Sequence, residues 1–146
     1  MEMKKAIISV GNPLKADDNI GNLILDKIKD SYKNKGYYFF KGGMNPENFI
    51  EPLRKINPDS IFFIDIAIFD GEVGDVKLFK LEDIEDFHIS THYFPISIFK
   101  KYFPNARLVL IGIKPKIVNF GEELSPELET RLPDIIEKVQ RTIEAF

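Results

Sequence analysis

Residues 5–18 read KAIISVGNPLKADD. Lys5 to Val10 is a compact apolar run that stops at Gly11, the pattern of a buried first strand. Asn12-Pro13 turns the chain, because a residue before proline is pushed out of helical geometry. Past the two acids, Ile20, Leu23, Ile24 and Ile28 recur at helical spacing, which predicts an amphipathic helix from about Asp17 to Lys33. Asp17 or Asp18 is placed to cap its start by accepting backbone N–H bonds.

The rest of the chain repeats this order. Tyr37 to Phe40 reads as a second short strand, closed by Gly42-Gly43. Pro46 to Ile56 reads as a short helix, with Asn45 as its cap and Pro46 at the first helical position. Ile61 to Ile68 (IFFIDIAI) is nearly all apolar, which suits a central strand covered on both faces. Val76 to Leu81 reads as a strand, residues 82–91 as irregular, Pro95 to Phe103 as a helix and Arg107 to Ile113 as the last strand. Ser125-Pro126-Glu127 supplies a cap, a first-turn proline and a well-placed carboxylate for a C-terminal helix. Strands alternating with helices predict a parallel sheet with helices on both faces, and no linker or repeat divides residues 1–146 into more than one domain.

Composition narrows the chemistry. The 146 residues include no cysteine, which excludes thiol nucleophiles, disulfides and thiolate metal ligands. The formal net charge is -3 with both signs interleaved, so no basic stripe predicts nucleic-acid binding. The longest apolar runs are too short to span a bilayer. Met1 to Lys5 leads directly into a strand, which leaves no room for a signal peptide. The expectation is a cytoplasmic monomer with no nucleic-acid or membrane partner.

In open parallel sheets, ligands bind beyond the carboxyl ends of the strands, where strand order reverses. Three segments place unusual residues at such positions. Asp17 and Asp18 follow the first strand. The positive end of the helix dipole stabilises each of them, a purely structural explanation, but capping needs only one, which leaves the second acid available for other work. Asp65 interrupts an apolar strand, where a carboxylate is costly unless paired, hydrogen-bonded or metal-bound. It marks either a site or the strand's end. Ser90-Thr91-His92 precedes a helix, and His92 and His88 are the two histidines of the chain. Either is open to being an ordinary solvated loop residue. Together, two carboxylates and an imidazole at one sheet edge form an oxygen and nitrogen donor set suited to nickel or zinc, with positions left open.

The segment GNPLKADDNIG resembles the N-terminal signature of the hydrogenase maturation proteases. The likeness continues through KGGMNPENF, FFIDIAIFDGEVGDV, STHYFP and LIGIKPKIVNFGEELSPEL, in order and across almost the whole chain. The pairing of GG-x-x-PE with S-T-H-x-x-P is most similar to the branch serving formate-hydrogenlyase-type enzymes. The resemblance implies a three-layer α/β/α sandwich with a five-stranded, mostly parallel sheet. It also implies an endopeptidase that removes a C-terminal extension from a nickel–iron hydrogenase large-subunit precursor after nickel insertion. It carries catalytic and metal-contact roles to Asp18, Asp65 and His92, and substrate binding to Gly42 and Gly43. Lys41 stands where many relatives have an acid, and Asn19 where a glycine is common.

The implied nickel arrives with the substrate, held by the client's cysteine thiolates. A chain without thiolates is unable to strip it, so the metal acts as a recognition tag. Hydrolysis falls to an aspartyl-type carboxylate activating water or to polarisation of the scissile carbonyl by the metal. A shared proton between Asp17 and Asp18 is disfavoured, because neighbours in sequence often point apart. Two rivals use the same fold: a small-molecule or phosphate enzyme, and an escort that binds a nickel-loaded client without cutting it. The first lacks G-x-G-x-x-G and G-x-x-x-x-G-K-[ST], and the acidic pair repels phosphate.

Overall fold

The computed structural model describes residues 3–33, 36–80, 96–121 and 123–146, without the side chains of residues 96 and 97. Among the described residues five strands form one sheet: β1 (Lys5–Ser9), β2 (Tyr37–Lys41), β3 (Ser60–Ile66), β4 (Val76–Lys80) and β5 (Arg107–Ile113). Their spatial order is β2-β1-β3-β5-β4. The first three and β5 run parallel, and β4 pairs antiparallel with β5. Residues 67–75 between β3 and β4 are fewer than the dozen that a parallel crossover needs, so β4 turns back.

Among the described residues four α-helices accompany the sheet: α1 (Ile20–Ile28), α2 (Ile50–Ile56), α3 (Ile96–Tyr102) and α4 (Pro126–Ala145). Short 3-10 turns precede and follow α1, at Ala16–Asn19 and Lys29–Tyr32, and another, Pro46–Phe49, precedes α2. The expected spans at 17–33 and 46–56 are therefore helical up to Tyr32 and Ile56, with tighter turns at both ends of the first and at the start of the second. Residues 82–91, Leu81 at the expected end of β4, and Ser90-Thr91-His92 lie outside the described residues.

Apolar side chains alternate between the two faces, as strand geometry requires. Ile7, Phe62, Ile64, Val109 and Ile111 meet Ile20, Ile24 and Ile28 of α1 and Ile135, Val139 and Ile143 of α4. On the other face, Ala6, Ile8, Ile61, Phe63 and Leu110 meet Leu53 of α2 and Phe99 of α3. Each fully buried large side chain stabilises the fold by roughly 1.5–3 kcal/mol. No described helix is long and apolar enough to cross a membrane.

The expected caps are not made by the residues assigned to them. Asp17 and Asp18 lie inside the Ala16–Asn19 turn, whose cap position is Lys15, and neither Asn45 nor Ser125 makes a side-chain capping bond. The Asn45 amide donates to Glu47 Oε1, and the Ser125 hydroxyl donates to Asp17. Asp17 and Asp18 accept from residues outside their own helix. In each case a different partner outcompetes the local cap.

Candidate active site

Strand order reverses between β1 and β3, because α1 leads from β1 out to β2 and α2 returns the chain to the other side of β1. This is the switch point at which doubly wound sheets bind ligands. Asp18 follows β1 and Asp65 sits near the end of β3, so the two acids flank it. The Val10 N–H donates to Ile64 O at 2.9 Å, which sets Asp65 level with Val10. The Ala16–Asn19 turn itself packs on β3. Asp18 and Asp65 are each only 4% exposed, an expensive placement for carboxylates that serve no purpose.

Glycine makes the approach possible. Gly11 has φ +149°, and a Cβ there would lie 1.9 Å from the backbone oxygen of Asp18. Only a residue without a side chain lets the acidic turn close over the end of β1. The Gly11 N–H donates to Gly43 O at 2.8 Å, joining the turn after β2 to the same edge. Gly42 lies under Ser9, where a Cβ would come 2.3 Å from the carbonyl oxygen, and Gly43 takes φ +56°. The Gly42-Gly43 pair therefore has a packing reason and a conformational reason of its own.

Asp18 Oδ2 accepts the Asn12 N–H at 3.0 Å, and Asp65 Oδ1 accepts the Ile66 N–H at 2.7 Å. Asn22, which sequence reasoning passed over, holds the turn from beneath. Its Oδ1 accepts from the Ser9 hydroxyl at 2.8 Å, while its Nδ2 donates to Gly11 O at 3.1 Å and to Asn19 Oδ1 at 2.9 Å. Asn19, unusual beside the family pattern, thereby gains a partner. Asn22 was visible only as a polar residue on the apolar side of α1.

Asp17 faces elsewhere. It is fully buried and accepts the N–H groups of Lys116 (2.8 Å), Ile117 (2.8 Å) and Ser125 (2.6 Å) and the Ser125 hydroxyl (2.8 Å). The two adjacent carboxylates thus face different partners, which argues against a shared proton. Lys41 donates to Asp26 Oδ2 on α1 at 2.7 Å, so its ammonium serves the join between β2 and α1.

His92 falls outside the described residues, and among the described residues no three metal-ligating side chains gather. The chain resumes at α3. Tyr102, at its far end, lines a hollow with Asp59 just before β3, while Phe99 packs edge-on against Phe63, midway along β3. The start of α3 therefore lies toward the edge that carries Asp18 and Asp65. The 410 Å³ hollow lined by Lys80, Lys100 and Arg107 lies instead by the amino end of β5.

A model of the hydrogenase maturation protease family, HycI, matches residues 23–142. A Methanocaldococcus jannaschii chain assigned to the same kind of enzyme is 35% identical over 153 residues, spanning 94% of this chain and 90% of its own length. The chain belongs to the hydrogenase maturation protease family. It is an enzyme of the peptidase class. The hydrogenase 3 maturation protease of Escherichia coli K12 is 25% identical, across 99% of this chain and 91% of that one. Among solved structures, the nickel–iron hydrogenase maturation protease HycI from Thermococcus kodakarensis superposes with a TM-score of 0.82 at 24% identity, covering 98% of this chain and 94% of that one. That likeness shows the shared α/β fold.

Proposed function

We propose that this maturation protease removes the C-terminal extension of a nickel–iron hydrogenase large-subunit precursor once nickel has been inserted. Asp18, Asp65 and His92 contact the substrate's nickel and the reacting bond, and Gly42 and Gly43 line the client's path. The observation that carries this reading is the pair of buried carboxylates flanking the switch point in a chain of this family. Their oxygen donors suit a borderline metal but do not compete with the client's thiolates for it. Nickel then adds binding only when the precursor is loaded. A hundredfold preference for the loaded form needs about 2.8 kcal/mol of differential binding.

Surface chemistry favours a protein substrate over a small molecule. Nine large apolar side chains are exposed among the described residues, and six of them occupy loops leaving the carboxyl ends of the parallel strands. These are Leu14, Met44, Ile68, Ile117, Val118 and Phe120. Apolar surface gathered at one edge marks a macromolecular contact. For hydrolysis, one of the carboxylates takes a proton from water, the oxygen adds to the scissile carbonyl, and the proton passes to the departing amine.

The test is cleavage of nickel-loaded precursor by Asp18→Asn, Asp65→Asn and His92→Ala variants. Each is expected to lose about 100-fold or more in kcat/KM while its circular dichroism stays native. Cleavage by His92→Ala at the wild-type rate would remove the histidine from the site. A stable complex between wild-type protein and uncut, loaded client would make the chain an escort.

A further inference from the structure

We infer that Asp17 is a positioning residue for the reaction: its carboxylate fastens the loop after β5 to the acidic turn and thereby fixes the aim of Asp18. This rests on the function proposed above. The attachment has two halves. Oδ1 of Asp17 accepts the Ser125 N–H, and Oδ2 accepts the Lys116 N–H, the Ile117 N–H and the Ser125 hydroxyl. Backbone bonds complete it: Asp17 N to Ile117 O at 2.9 Å, Ala16 N to Gly121 O at 2.7 Å, and Gly121 N to Leu14 O at 2.9 Å. Residues 14–17 are therefore tied to Lys116, Ile117, Gly121 and Ser125, although about a hundred residues separate the two segments in the chain.

The geometry of the turn shows why Asp18 depends on this tie. Ala16 has φ +49°, a left-handed conformation that a residue with a side chain keeps only when its surroundings impose it. Its N–H is held by Gly121 and the next residue is Asp17, so the imposing contacts are those of the loop. Asp18 follows directly, with its backbone against Gly11 and its Oδ2 on the Asn12 N–H. Released from the loop, Ala16 relaxes toward negative φ, and the Asp18 carboxylate swings with the turn.

Asp17→Asn isolates the effect with almost no change in size. A carboxamide has one acceptor oxygen and one donor group. With its oxygen in the Oδ2 position it sets NH2 against the Ser125 N–H; reversed, it sets NH2 against three donors. Misplacing a reacting group by about 1 Å costs on the order of 100-fold in rate. Purified wild type, Asp17→Asn, Ser125→Ala and a remote core control, Val139→Ala, are compared on nickel-loaded precursor at a temperature well below every melting point. The expected result is a fall in kcat of about 100-fold for Asp17→Asn, with KM within about twofold. Ser125→Ala, which removes one of the four donors, falls several-fold, and Val139→Ala keeps its kcat despite a lower melting temperature.

A kcat for Asp17→Asn that matches the Val139→Ala control overturns the inference while leaving the protease intact. If Asp17→Asn does not fold, Ser125→Ala decides, and its wild-type kcat would overturn the inference. Wild-type protein that leaves loaded precursor uncut overturns the proposed function and the inference together.

Discussion

Asp17 and Asp18 are neighbours in one turn, yet one accepts from the loop after β5 and the other from Asn12. Sequence reasoning could see that two acids exceed the needs of a helix cap, and the family resemblance assigned the chemistry to Asp18. The task of Asp17 was hidden because its partners are 99 to 108 residues away. Asp65 was legible for the opposite reason: a carboxylate inside IFFIDIAI stands out against its own neighbours. Gly11 is the residue on which the turn's geometry depends most directly. Gly11→Ala forces both a disfavoured φ and a clash with the Asp18 backbone, and is expected to cost about 3 kcal/mol or more of stability. Urea denaturation monitored by circular dichroism measures it, and a loss under about 1 kcal/mol would mean that the turn can move aside.

At the scale of elements, the strands and helices were readable from periodicity, several of them with their bounds, such as Arg107–Ile113, whereas their caps were not. Asn45 and Ser125 carry the residue types of caps but bond to Glu47 and Asp17. Glu47 lies two residues on, within the turn itself, whereas Asp17 is a tertiary partner that residue type alone does not reveal. The antiparallel β4 was readable in principle from its short connection to β3. The join between α1 and β2 gives a pH-dependent test. Hydrogen bonding to the Lys41 ammonium holds the Asp26 carboxyl below its ordinary value of 3.8. Because the folded-state value is the lower one, the contribution is complete at neutral pH and disappears as pH falls through it. The pair is partly exposed, so Lys41→Met is expected to cost only about 0.5 kcal/mol at pH 7 and nothing once Asp26 is protonated. Equal losses at pH 7 and at acid pH would show that packing of the lysine stem, and not charge, makes the contact. The loop after β5 offers a second test. Phe120 is 80% exposed, so Phe120→Ser should leave the melting temperature unchanged while raising KM for the precursor about tenfold, or 1.4 kcal/mol. An unchanged KM would remove this side chain from the client's path.

One sheet with an apolar layer on each face holds four loops at a common edge, and this edge carries Asp18, Asp65 and most of the exposed large apolar side chains among the described residues. Phe63 links the scaffold to the site, since it lies two residues before Asp65 and packs edge-on against Phe99 with ring centroids 4.9 Å apart. Phe63→Ala is expected to cost about 3–5 kcal/mol, and thermal unfolding would register it. A loss below about 1 kcal/mol would contradict the assignment of Phe63 to the core. The α/β class was legible from the sequence because alternating strands and helices leave few topologies open, and the same order points to the edge where the candidate site is proposed. The tie between residues 17 and 125 depends on tertiary folding and was not. The most direct measurement is mass spectrometry of hydrogenase large-subunit precursor, nickel-loaded and nickel-free, after incubation with the purified protein. Loss of a short C-terminal peptide from the loaded form alone is the expected result. Equal cleavage of both forms would contradict the nickel tag, and an intact chain in both would contradict the proposed protease function.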